Sequence, residues 1–99
     1  MPAKIDIDRE VIADFCRRHR IRKLSLFGSV LRDDFGPESD VDVLVEFEPD
    51  EEPGLLGLAG MQLELEQILA RPVDLRTPED LSRHFRDDVM RSAEIQYAA

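Results

Sequence analysis

The sequence predicts a small α/β (α+β) domain, a mixed sheet of three or four strands flanked by helices. Three observations lead there. Short apolar runs with two-residue alternation, IRKLSLFG, VDVLVEFE and PVDLRT, are interleaved with longer stretches of helical periodicity. Gly and Pro punctuate the joints, at Gly28, Gly36-Pro37, Pro53-Gly54 and Pro72. The length, 99 residues, suits one domain over 1–99, too short for helices on both faces of a long sheet but able to fold without disulfides.

Asp6 or Asp8 is suited to cap a first helix running to about His19, with Val11, Ile12 and Phe15 on one face. Its last turn and exit carry Arg17, Arg18, His19, Arg20, Arg22 and Lys23, which complement the negative end of a helix dipole. The first strand follows to Gly28, with Leu24 and Leu26 alternating with Ser25 and Phe27; SVLRDD fits one helical turn capped by Ser29, and FGPES a loop. In the second strand Val41, Val43, Val45 and Phe47 share a face, and Asp42, Leu44 and Glu46 share the other. A helix spans Leu55–Leu69, its inner face Leu55, Leu58, Met61, Leu65, Ile68 and Leu69, with Leu56 and Leu63 roughly opposite. Arg71-Pro72 ends it before a short third strand. TPEDL opens a last helix, with Pro78 at its first position, running to about Met90. The tail AEIQYAA reads as either helix or edge strand.

Net charge is −9, from 22 acidic and 13 basic residues, which disfavours nucleic acid and anionic membranes as partners and permits a cationic partner or metal ions. Cys16 is the single cysteine, so no disulfide or CxxC site exists; beside Phe15 it reads as a small buried residue. No signal-like or membrane-spanning stretch is present, and a cytoplasmic setting is expected.

The chemistry concentrates between the first two strands. Gly28-Ser29 closes strand one, and ten residues later Asp40 and Asp42 stand at i and i+2, leaving one face of strand two. Asp74 lies in strand three between Val73 and Leu75. Three carboxylates converging at one sheet edge repel one another unless a positive group joins them. Oxygen ligands without His or Cys suit Mg²⁺, or Mn²⁺. Two such ions form the clamp used for in-line displacement at phosphorus. Gly28 permits close approach of a phosphate, and Ser29 adds a hydroxyl and an amide. A D-x-D pair alone also occurs in calcium loops, but the EF-hand ligand series is absent.

In LFGSVLRDDFGPESDVDVLVEFEP and GLLGLAGMQLELEQILARPVDLRTPEDL the chain resembles the minimal nucleotidyltransferase (MNT) family of the DNA polymerase β-like nucleotidyltransferase superfamily, over roughly Leu24 to Ile95. The resemblance implies the polymerase β-like fold and transfer of a nucleoside monophosphate from NTP to a hydroxyl. It places Gly28 and Ser29 on the triphosphate, and Asp40 and Asp42 on two magnesium ions. Asp74 would ligate the catalytic ion and assist deprotonation of the acceptor. Arg32, at the basic position of GSxxRxD, would touch phosphate, or is a surface arginine. Val30-Leu31 departs from the Ala-Arg-Gly that often follows Gly-Ser in this family, and Asp34 and Glu38 add negative charge near the triphosphate.

Members of this length are typically antitoxins of HEPN-domain ribonuclease toxins. The resemblance therefore implies adenylylation (AMPylation) of a HEPN partner from ATP, with a tyrosine as acceptor. No residue follows 99 to supply an acceptor domain, so the acceptor surface is expected on another molecule. Two alternatives stand beside this: an antitoxin that acts by binding alone, and an enzyme with a small-molecule or RNA-end acceptor. Leu56 and Leu63 are either a partner surface, a second core layer or scattered surface leucines. His19 and His84 lack metal-ligand spacing and are expected to be exposed; Tyr97 is expected in a mobile terminus.

Overall fold

The computed structural model describes residues 7–31, 36 and 39–99, without the Ser29 side chain. Asp6, Arg32, Asp34 and Glu38 lie outside the described residues.

Helix α1 spans Arg9–Arg18 and is capped by Asp8, whose Oδ1 accepts from the Glu10 and Val11 amides at 3.0 and 3.3 Å. It buries Ile12, Phe15 and Cys16, while Val11 is exposed, so the inner stripe is narrower than the sequence suggests. Burial pushes the Cys16 thiol up to about 12, which makes it inert packing. The chain reverses through Arg20, at φ 58°, into β1 (Ile21–Phe27). A 3₁₀ turn over Gly28–Leu31 stands where one helical turn was expected. β2 is Val41–Phe47, α2 Leu55–Leu69 and β3 Val73–Arg76.

The last helix departs from expectation. A 3₁₀ turn, Pro78–Asp80, stops at Leu81, which is extended (φ −86°, ψ 143°), and α3 begins only at Arg86 and runs to Ser92. Leu81 is buried, and Ser82 Oγ accepts from the His84 amide at 3.3 Å. Burial of the leucine and that local bond compete with helical continuation. The tail forms an edge strand, β4 (Glu94–Ala98), in which Tyr97 packs half-buried against the core.

The sheet order is β3-β2-β1-β4. β1 pairs antiparallel with β2 and β4, and β2 parallel with β3, with α2 as the crossover. Leu24, Leu26, Val41, Val43, Val45 and Val73 turn one sheet face into a single core with Ile12 and Phe15 of α1 and Met61 and Leu65 of α2. Each such side chain contributes about 1.5–3 kcal/mol when fully buried. The helices are clasped by Glu64, which accepts from Arg18 Nη2 at 2.6 Å and meets His19 Nε2 at 2.9 Å. His19 is therefore half-buried rather than exposed, its ring 4.6 Å from that of Phe15; His84 is exposed.

Leu55, expected on the inner face of α2, is 86% exposed. It is the first helical residue, whereas the later part of the helix, from Met61 onward, lies against β3. Leu56 and Leu63 are also exposed, at 90% and 61%, so they form no second core layer. Among the described residues no helix is long and apolar enough to cross a membrane.

Candidate active site

Strand alternation sends every second residue of β1, β2 and β3 to the sheet face away from α1 and α2. The register decides which of them meet. Phe27 pairs with Asp42 across β1 and β2, and Asp42 with Asp74 across β2 and β3, so these three form one row. Ser25, Leu44 and Arg76 form the next. The parallel crossover thus brings together two carboxylates that are 32 positions apart in sequence.

Gly28 follows Phe27 directly and adopts φ 72°, a conformation that favours glycine. A second constraint acts at the same atom: a Cβ on Gly28 would collide with Asp42 Oδ2 and lie 3.2 Å from its Cγ. The turn therefore passes against the half-buried Asp42 carboxylate. Asp40 stands two residues earlier, exposed, at the mouth of β2. Ser29 lies in the 3₁₀ turn beside Gly28.

Asp74 is fixed from two directions. Its flanking amides are tied to α2: Val73 N–H donates to Glu66 Oε2 at 3.0 Å and Leu75 N–H to Gln62 Oε1 at 3.4 Å. These bonds also cover the outer edge of β3. Its carboxylate accepts two bonds from Arg76, Nε to Oδ1 at 3.1 Å and Nη2 to Oδ2 at 3.2 Å. The hydrogen bonds and charge of Asp74, followed by the charges of Asp80 and Asp42, hold the Arg76 guanidinium above its ordinary value. Asp80 is positioned by Thr77, whose amide and hydroxyl both donate to its Oδ2 at 3.1 Å.

These groups line an open cleft of about 240 Å³ formed by Phe27, Asp42, Asp74, Arg76, Asp80, Leu81 and Phe85. The donors are all oxygen, the chemistry that suits Mg²⁺ or Mn²⁺. Among the described residues, however, no three acidic, His or Cys side chains are gathered closely enough to hold an ion. Asp74 is turned onto Arg76. Sequence reasoning missed Arg76, Asp80 and Phe85. Arg76 was findable, since i+2 on a strand shares the face of Asp74; Asp80 is held by Thr77 in the turn after β3, and Phe85 comes after the break at Leu81. Basic residues at and after the end of α1 serve elsewhere: Arg18 pairs with Asp14 and Glu64, and Arg22 and Lys23 approach Glu46.

The sequence profile of the nucleotidyltransferase domain matches residues 8–96. The chain belongs to the nucleotidyltransferase domain family. It is 33% identical over 88 residues to a Methanocaldococcus jannaschii protein named as a protein adenylyltransferase, covering 89% of this chain and 91% of that one. It is 36% identical over 74 residues to the protein adenylyltransferase MntA of Thermococcus cleftensis, covering 75% and 73%. A solved structure described as a minimal nucleotidyltransferase superposes with TM-score 0.71 at 36% identity, over 86% of this chain and 85% of that one. The fold is shared, at 18% identity and TM-score 0.66, with a chain of a complex between tri-AMPylated Shewanella oneidensis HEPN toxin and MNT antitoxin, over 92% of this chain and 70% of that one. The resemblance to minimal nucleotidyltransferases is thus borne out, and this nucleotidyltransferase carries their mixed four-stranded sheet.

Proposed function

We propose that this nucleotidyltransferase is the antitoxin of a HEPN ribonuclease toxin and neutralises it by transferring AMP from ATP to a tyrosine hydroxyl of the toxin. The observation that carries the reading is the Asp42–Asp74 row set against the Gly28 turn. It sets two carboxylates that could ligate a cation beside a glycine turn with no Cβ. The names of the relatives in Methanocaldococcus and Thermococcus, both adenylyltransferases, support the activity. The Shewanella complex supports the kind of partner.

In the reaction the acceptor oxygen attacks the α-phosphorus. A new P–O bond forms, the bond to the bridging oxygen breaks, and pyrophosphate leaves with the electron pair. Asp40, Asp42 and Asp74 are the residues that would hold magnesium, which when bound neutralises phosphate charge and lowers the pKa of a hydroxyl. Gly28 lets the turn pass against the Asp42 carboxylate, and Ser29 would offer its amide to the triphosphate. Arg32 is assigned to phosphate by its motif position alone. By its motif position Asp74, once free of Arg76, would assist deprotonation of the acceptor hydroxyl. The exposed Leu56 and Leu63 are assigned to the toxin contact.

The test is to incubate the purified protein with a HEPN-domain toxin encoded beside it, ATP and Mg²⁺, and to measure the intact mass of the toxin; absence of such a neighbouring gene counts against the reading. An increment of one or more AMP units with the wild type, lost with Asp42→Ala, supports the reading. No increment, or one that survives Asp42→Ala, overturns it. Full protection of cells by Asp42→Ala would favour neutralisation by binding alone.

A further inference from the structure

One cation in the cleft is unused by the scheme above. Arg76 lies on the same strand face as Asp74, and both of its forward donors go to the two oxygens of that carboxylate. The pair is half-exposed, so burial of the core does not require it. Asp80, held by Thr77, and Asp42 stand on the same cleft. Both carboxylates line the cleft with the guanidinium, but only Asp74 accepts both of its hydrogen bonds. The guanidinium thus takes up the same Asp74 oxygens that a divalent cation would need.

We propose that Arg76 is the resident counter-ion of this site, occupying Asp74 in the metal-free protein and competing with a divalent cation for it. The inference rests on the proposed function, which makes Asp74 a metal ligand. A fork-shaped donor bound to both oxygens must release at least one before an ion can take it. Arg76 thus lowers the affinity of the site for metal alone while suppressing carboxylate repulsion.

Mn²⁺ alone, titrated by electron paramagnetic resonance into the full-length protein and its variants, tests this. Arg76→Gln should bind Mn²⁺ about three- to ten-fold tighter than wild type, the range expected from losing a half-exposed pair and a neighbouring positive charge. Arg76→Lys, which keeps the charge but not the fork, should fall between. In an Asp74→Asn background the Arg76→Gln gain should vanish. An unchanged or weaker affinity in Arg76→Gln, or a gain that persists in Asp74→Asn, overturns the proposal. If Asp42→Asn weakens Mn²⁺ binding while Arg76→Gln does not tighten it, the counter-ion role alone fails. If neither Asp42→Asn nor Asp74→Asn changes it, the metal-site assignment fails with it.

Discussion

Gly28→Ala isolates the contact on which the site geometry rests. The residue sits at φ 72°, and the added methyl would run into Asp42 Oδ2, with its carboxyl carbon at 3.2 Å and its Cβ at 3.5 Å. Two costs add. Left-handed backbone at a residue with a Cβ costs about 1–2 kcal/mol. Pushing the Asp42 side chain off its rotamer costs about 0.5–1.5 kcal/mol more. The sum, about 1.5–3.5 kcal/mol, is less than the typical stability of about 5–15 kcal/mol, so the variant should fold. Its melting temperature should drop by about 6–28 °C for a domain of this size. Urea unfolding followed by circular dichroism measures the loss, and AMP transfer to the partner should fall more steeply than stability because Asp42 is displaced. In an Asp42→Ala background the penalty should shrink to the backbone part, about 1–2 kcal/mol. A variant within about 0.5 kcal/mol of wild type, or an equal penalty in both backgrounds, would refute the close-approach argument.

Three further outcomes follow from the packing and the surface. Leu65→Ala removes a fully buried side chain between α2 and the sheet and should cost about 2–5 kcal/mol in urea unfolding. Glu64 ties the two helices. The Arg18 hydrogen bond, with that of His19 behind it, holds its carboxyl below the usual 4.5 against the opposing effect of burial. Its contribution of about 0.5–1 kcal/mol is therefore present above pH 4.5 and lost as pH falls through the depressed folded-state value; Glu64→Gln should remove that part of the acid slope. Leu56→Glu/Leu63→Glu should leave stability within about 0.5 kcal/mol and weaken binding to the HEPN partner about ten-fold or more in a pull-down titration, because both side chains are exposed.

Most of the fold was legible because its strands alternate cleanly. Val41, Val43, Val45 and Phe47 all turn inward as their spacing requires, and the α2 boundaries coincide with those read from its periodicity. The last helix was misread because TPEDL is a strong local start, and nothing local shows that Leu81 is needed in the interior. Leu55 was misplaced for a similar reason: periodicity assigns a face but not where the neighbouring element ends. His19 was missed because its partner Glu64 is 45 positions away. The candidate site divides in the same way. Gly28, Asp40, Asp42 and Asp74 were readable as a spaced set, and the parallel register then brings Asp42 and Asp74 into one row. The arginine that takes Asp74 was not, since a sequence shows which charges are near but not which of them pair.

The central claim is that Asp40, Asp42 and Asp74 form the metal clamp of nucleotidyl transfer beside the Gly28 turn. A crystal structure with Mn²⁺ and a non-hydrolysable ATP analogue tests it most directly, because anomalous scattering places the ion independently of chemistry. The account predicts anomalous peaks within coordination distance of these three carboxylates, the triphosphate against Gly28 and Ser29, and Asp74 released from Arg76. Peaks on any other ligand set, or a triphosphate bound away from the Gly28 turn, would contradict it.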